Sequence, residues 1–207
     1  MRLEIATPRL RLRPFAPGDA KRVSDLAGDY EVAKMCSRIP HPFSAAEAGE
    51  KIAGHAGLRE RGEGFIFAVT LADGEAPDAP PSELDGELHG ELIGSCGAFR
   101  VDDGRAWEIG FWFGRVYWGR GYASEAVQGL MDWAGVELGP TLFRADHFAD
   151  NPASGGVLRK LGFGLAGAGR GSSLARGADA PIECYVWPAA AVGAIRGAHA
   201  SNRSPLK

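Results

Sequence analysis

Between Trp107 and Ala126 the sequence WEIGFWFGRVYWGRGYASEA opens on an aromatic run, WEIGFWF, whose only charged group is Glu108. A glycine-punctuated turn, Trp118-Gly119-Arg120-Gly121, follows it and leads into a helix starting near Tyr122. Gly119 and Gly121 let the backbone turn with little side-chain obstruction. The first amides of the helix, on Tyr122, Ala123 and Ser124, have no intrahelical acceptor and carry the positive end of the macrodipole. The turn is therefore an anion cradle suited to a phosphate group. Arg120 adds a mobile positive charge in its middle.

Period-two alternation puts Glu108 on one face of the strand AWEIGFWF with Gly110 and Trp112, and puts Trp107, Ile109, Phe111 and Phe113 on the other. Aromatic surroundings suit a carboxylate to general-base work, directly or through water. A glutamate that is salt-bridged or at a solvated strand end is the equally weighted alternative. Gly110 leaves room for a substrate beside it. Asp146 and His147 on a neighbouring strand are alternative proton acceptors. Trp107, Trp112 and Trp118 could line a dry slot or serve as ordinary core.

The same residues carry a family likeness. Trp118-x-x-Gly121-x-Ala123 resembles the acetyl-CoA signature Q/R-x-x-G-x-G/A of the Gcn5-related N-acetyltransferase (GNAT) superfamily, with tryptophan first as in its RimJ/RimL-like branch. Asn151-Pro-Ala-Ser154 followed by Val157-Leu-Arg-Lys-Leu-Gly-Phe163 resembles the N-x-x-S...V-L-E-K-L-G-F element of that branch. Thr7-Pro-Arg-Leu-Arg-Leu-Arg-Pro-Phe15 is similar to its opening strand. The likeness spans roughly residues 5 to 188, in the correct order.

That resemblance implies an α/β (α+β) GNAT fold in a single domain, with a mixed, mostly antiparallel central sheet flanked by helices. The sheet is splayed between the fourth and fifth strands, Ala106 to Phe113 and Leu142 to Phe148. It also implies acetyl-CoA as donor, with Trp118 to Ser124 at its phosphates, and Phe111, Trp112 and Phe113 offering backbone N–H groups to the thioester oxygen. Asn151 would contact the cofactor or a water, and Ser154 would serve as general acid to the departing sulfur. Relatives with a tyrosine acid carry it on this helix, which has none here, so Tyr185 or Tyr117 would have to reach in. Gly155-Gly156, which weakens the short helix, and Arg159, in place of the usual glutamate, depart from the pattern.

The acceptor implied is a primary amine: a protein N-terminal α-amine, or a small amine such as a polyamine or antibiotic. A non-catalytic acyl-CoA sensor and a longer acyl donor such as succinyl are the rival readings. An α-amine of pKa near 7.7 to 8.0 needs only a weak base, whereas a lysine near 10.4 needs a strong one.

Composition bounds these readings. The 207 residues, 45% hydrophobic, suffice for one domain with a substantial core. A net charge of −3 gives no global reason to expect nucleic-acid binding. Cys36, Cys96 and Cys184 are odd in number and widely spaced, so buried free thiols are expected, and the five scattered histidines suggest no metal site. No run approaches a membrane span and the N-terminus lacks an apolar signal core, so a cytoplasmic location is the default. Homodimerisation through edge strands or the C-terminal region is conceivable, with no interface legible.

The positioning elements follow from pattern. Leu10 and Leu12 alternate with Arg9, Arg11 and Arg13 in a half-buried strand. Asp19 is expected to cap a helix with Val23, Leu26, Ala27 and Tyr30 on one side, and Ser44-x-x-Glu47 to form a capping box for a second helix reaching Arg61. Phe65 to Leu71 and Leu92 to Arg100 read as strands, Tyr122 to Leu138 as an amphipathic helix, Asn151 to Leu161 as including a short one, and Ile182 to Trp187 as the last strand. Gly164 to Gly177 is expected to hold a strand and a long flexible connection. The N-acetyltransferase domain is assigned to residues 1–188. Within it 74–90 is an acidic hairpin insert, either solvated or an acidic lip for a cationic acceptor, and 189–207 is a flexible tail.

Overall fold

The computed structural model describes residues 1–72, 90–104, 106–140 and 142–188. The acidic insert, apart from Gly90, and the C-terminal tail lie outside the described residues. Among the described residues eight strands form one sheet: β1 (Ile5–Ala6), β2 (Leu10–Arg13), β3 (Gly64–Leu71), β4 (Leu92–Val101), β5 (Ala106–Phe113), β6 (Phe143–Phe148), β7 (Gly164–Ser173) and β8 (Ala178–Trp187). Their order is β1-β2-β3-β4-β5-β6-β8-β7, and every pairing is antiparallel except β5 with β6. A two-residue strand precedes the expected first one, so the splay falls between β5 and β6.

Among the described residues five α-helices cover the sheet: α1 (Ala20–Ala27), α2 (Tyr30–Ala33), α3 (Ala45–Glu60), α4 (Tyr122–Glu137) and α5 (Pro152–Lys160). One face packs against α4 and α5, where Trp107, Ile109 and Phe113 of β5 meet Val127, Leu130 and Ala134 of α4 and Leu158 of α5 in a common core. The other face packs against α1 to α3 through Val23, Ala27, Ala33, Phe43, Ala48 and Ile52, with Trp112 laid against them. The period-two reading of AWEIGFWF therefore sorts its side chains onto the two faces as expected.

The capping box stands: Ser44 Oγ accepts from Glu47 N at 3.2 Å and Glu47 Oε2 accepts from Ser44 N at 2.8 Å. Three other expectations need correction. Asp19 does not cap α1 with its side chain, because its buried carboxylate accepts two bonds from Arg13 (2.7 and 2.9 Å) and one from Ala16 N (2.7 Å). The first helix breaks at Gly28, and Asp29 caps a separate α2 by accepting from Glu31 N. Tyr30 is consequently exposed against His41 rather than buried beside Leu26. The glycine-rich stretch is a hairpin of two ten-residue strands, not a strand with a long loose connection. Its turn is tied down by Leu174 N to Ser37 O (3.2 Å) and by Arg176 to Lys34 O and Asp150.

Candidate active site

The parallel β5–β6 pairing covers only Trp107 with Phe143 and Glu108 with Arg144. Both strands run on, to Phe113 and Phe148, with no further pairing between them. A gap thus opens toward their C-terminal ends, the end of a parallel pair where ligands bind in open α/β sheets. Trp107 N donates to Leu142 O across the pairing (3.1 Å), while Gly114 N donates to Ile93 O on the β4 side (3.0 Å). Since backbone direction alternates along a strand, the N–H groups of Phe111 and Phe113 face the gap. That of Trp112 faces β4, so of the three expected donors Trp112 does not point its amide into the gap. Trp118 Nε1 donates to Phe113 O (2.7 Å), tying the end of β5 to the turn that follows.

That turn has the geometry its glycines require. Gly119 sits at φ +76° and Gly121 at φ +81°, conformations that L side chains rarely adopt. An added Cβ on Gly119 would meet nothing within 4 Å, so the turn is open on that side. Gly121 is the N-cap of α4 and offers no side-chain acceptor to the first amides of the helix. Glu125, in that first turn, does not leave an exposed negative charge there: it accepts from Thr7 Oγ1 (2.6 Å), Arg9 N (2.8 Å) and Arg9 Nε (2.7 Å). Burial alone would raise its pKa, but these hydrogen bonds and the guanidinium outweigh it and hold the carboxyl below its ordinary range.

A second helix N-terminus follows β6. Asn151 caps α5, accepting from Ser154 N (3.3 Å) and donating from Nδ2 to Ser154 Oγ (3.0 Å). Because Ser154 Oγ is an acceptor in that pair, its own O–H proton is left to be donated elsewhere. The alternative tyrosines are committed. Tyr117 OH lies between Arg22 and Glu91, each at 2.7 Å, with its pKa pushed well up by burial and then by Glu91. Tyr185 OH donates to Glu183 (2.8 Å) and accepts from Arg159 (2.9 Å) within the core. Arg159 thus has a structural task here, and both tyrosines spend their hydroxyl protons on carboxylates, Glu91 and Glu183.

Glu108 lies on the α1–α3 face at the point where the gap begins, opposite Phe99 of β4 and level with Arg144 of β6. Arg144 pairs with Asp102 at 2.5 Å, and its Nε is buried without a hydrogen-bond partner. Gly110 is open: an added Cβ would meet only the Phe99 ring, at 3.6 Å. The guanidinium of Arg38 lies 5.0 Å above that ring. Asp146 shares the Glu108 face by alternation, whereas His147 points to the other face, beneath α5. There it is buried, with Nδ1 2.8 Å from Phe148 O. The three tryptophans do not form one slot: Trp107 is in the α4-side core, Trp112 is on the α1–α3 side and Trp118 is 47% exposed on the turn. The three cysteines are free, two buried and Cys36 half-buried. Among the described residues no group of three potential metal ligands converges and no helix is long and apolar enough to cross a membrane.

Comparison with known proteins gives a consistent result. The model of the acetyltransferase (GNAT) domain matches residues 9–164. An uncharacterised N-acetyltransferase, p20, of Bacillus licheniformis is 32% identical over 173 residues, covering 83% of this chain and 88% of that protein. The solved structure of RimL, a ribosomal L7/L12 α-N-protein acetyltransferase in complex with coenzyme A, matches with a TM-score of 0.71 and 19% identity over 90% of this chain and 99% of that one. The microcin C7 self-immunity acetyltransferase MccE, in complex with acetyl-CoA and AMP, matches with a TM-score of 0.67 and 15% identity over 87% and 92%. At such identities the two structures establish the shared fold.

Proposed function

The chain belongs to the GNAT acetyltransferase family, and from that premise we propose that it transfers the acetyl group of acetyl-CoA directly to a protein N-terminal α-amine in the cytoplasm. One observation carries the donor half. The β5–β6 pairing stops at Glu108 and Arg144, and the gap it leaves opens toward a glycine turn with Gly119 and Gly121 at positive φ. Such a turn at a helix N-terminus fits a diphosphate, and a gap between strands fits an extended arm that completes the sheet.

When bound, acetyl-CoA supplies an acetyl group activated as a thioester. The amides of Tyr122, Ala123 and Ser124, with Arg120, would hold its phosphates. Phe111 and Phe113 direct N–H groups into the gap, where a fixed donor stabilises charge developing on a carbonyl oxygen. Asn151 holds Ser154, whose O–H proton would go to the sulfur as the C–N bond forms and the C–S bond breaks, with the serine reprotonated from solvent. Glu108 takes the proton of the attacking amine, directly or through a water.

The acceptor assignment rests on the fit between base and substrate. Gly110 adds no side chain beside Glu108, where an added Cβ would meet only the Phe99 ring at 3.6 Å, while the facing Gly97 is covered by Ile66. An α-amine loses its proton near pH 8, within reach of a carboxylate or water-mediated base, while a lysine amine does not. RimL, an α-N-protein acetyltransferase, supports the same acceptor class. Incubation with acetyl-CoA and a panel of N-terminal peptides, polyamines, aminoglycosides and amino acids, read by mass spectrometry, tests it. A mass gain on the peptide α-amine is expected. Acetylation confined to a small amine or to lysine side chains would replace this acceptor, and coenzyme A binding without transfer would indicate a sensor.

A further inference from the structure

The strand that opens the fold reaches into the donor turn. Arg9 Nη1 donates to the carbonyl oxygen of Arg120 at 3.1 Å, and its guanidinium lies 4.7 Å over the Tyr122 ring. Its Nη2 is 3.5 Å from where a Cβ on Gly121 would sit. The guanidinium is fixed in turn by Glu125, which also accepts from the Arg9 amide. Arg9 therefore contacts Arg120 and Tyr122 and flanks Gly121 at the entrance to α4.

The peptide unit between Arg120 and Gly121 is planar, so its carbonyl and its N–H point in opposite directions. Glycine adopts positive and negative φ with similar ease, so Gly121 alone does not decide which way that unit faces. A flip would swing the Gly121 N–H away from the ligand side and turn a carbonyl oxygen toward the phosphates. We infer that Arg9 is the positioning residue that prevents the flip: by holding the Arg120 carbonyl on the β2 side, it aims the Gly121 amide at the donor's diphosphate. Glu125 neutralises the arginine and sets the reach of its fork, which a lysine's single ammonium group cannot reproduce. The inference rests on the acetyl-CoA reading above.

The test is acetyl-CoA affinity by calorimetry together with the amide spectrum of the ligand-free protein, for the wild type, Arg9→Ala, Arg9→Lys and Arg13→Ala. Arg13, on the same strand, spends its guanidinium on Asp19 and so reports general destabilisation. Both Arg9 variants are expected to weaken acetyl-CoA binding about tenfold, the loss of roughly one charge-assisted contact. They should also broaden the Gly121 amide resonance, while the KM for the acceptor stays within twofold. Arg13→Ala should bind acetyl-CoA as the wild type does. Unchanged affinity in folded Arg9→Lys, or an equal loss in Arg13→Ala, would overturn the role of Arg9 with the donor reading intact. A wild type that binds no acetyl-CoA would overturn the donor reading and this inference with it.

Discussion

The Nε2 atom of His147 lies 2.5 Å from the point where a Cβ on Gly155 would stand, and Arg159 Nη1 lies 3.0 Å from that same point. Gly155 is buried in the first turns of α5, and its missing side chain is what lets the helix rest on the imidazole beneath it. Gly156, one residue on, is exposed and has nothing within 4 Å of the same position. Two adjacent glycines that look equivalent in sequence therefore have different reasons to be there.

Gly155→Ala should destabilise the protein by about 1 to 3 kcal/mol, the usual range for overpacking a site that cannot expand. Gly156→Ala should stabilise it by about 0.5 to 1 kcal/mol through helix propensity and a less flexible unfolded chain. Urea unfolding of the two variants checks both signs at once. A Gly155→Ala variant as stable as the wild type would show that His147 moves freely, against the packing seen here.

Glu108→Gln keeps the size of the side chain and removes its capacity to take a proton. Turnover should fall about a hundredfold or more, the typical contribution of a general base, with acetyl-CoA affinity unchanged. Steady-state rates between pH 6 and 9 provide the check, and full activity throughout that range would remove Glu108 as the base.

Ser154→Ala should lower kcat while leaving acetyl-CoA affinity and the fold intact, because Asn151 still caps α5 through its contact with the amide of residue 154. Single-turnover kinetics separate this from a binding defect. An unaltered rate of acetyl transfer would hand the leaving-group proton to solvent.

His55 supplies a test of pH dependence away from the site. Burial, with smaller contributions from Arg59 and Lys51, pushes its pKa down to about 4 from about 6.5, and its Nδ1 is buried without a hydrogen-bond partner. Between those two values the unfolded chain binds the proton and the folded one does not, so stability falls as pH drops from about 6.5 to about 4. His55→Leu, which keeps an apolar contact with Phe15, should flatten that part of the profile. Denaturation midpoints measured at several pH values across the window would contradict this if the two proteins showed the same slope.

The positioning elements were legible where the signal is local. The Ser44–Glu47 capping box, the alternation in AWEIGFWF and the glycine turn before α4 each declare themselves within a few residues. What was not legible depends on residues brought together from far apart in the chain. Asp19 looks like a helix cap, yet Arg13 claims its carboxylate; Arg9 looks like a solvated strand residue, yet it grips a turn 111 residues later. Gly155 reads as a helix weakness because the ring that requires it comes from the preceding strand. The hairpin of β7 and β8 was hidden by glycines whose register is set by the partner strand and not by their own propensity.

Calorimetric titration of acetyl-CoA into the wild-type protein and Gly121→Glu tests most directly whether the turn at α4 is the donor site. The wild type should bind, and the variant, which brings a carboxylate to the entrance of α4 beside Arg9 and so cancels positive charge at the turn, should not bind while remaining folded. Equal affinity in the two proteins would contradict the assignment of the turn and of the gap behind it.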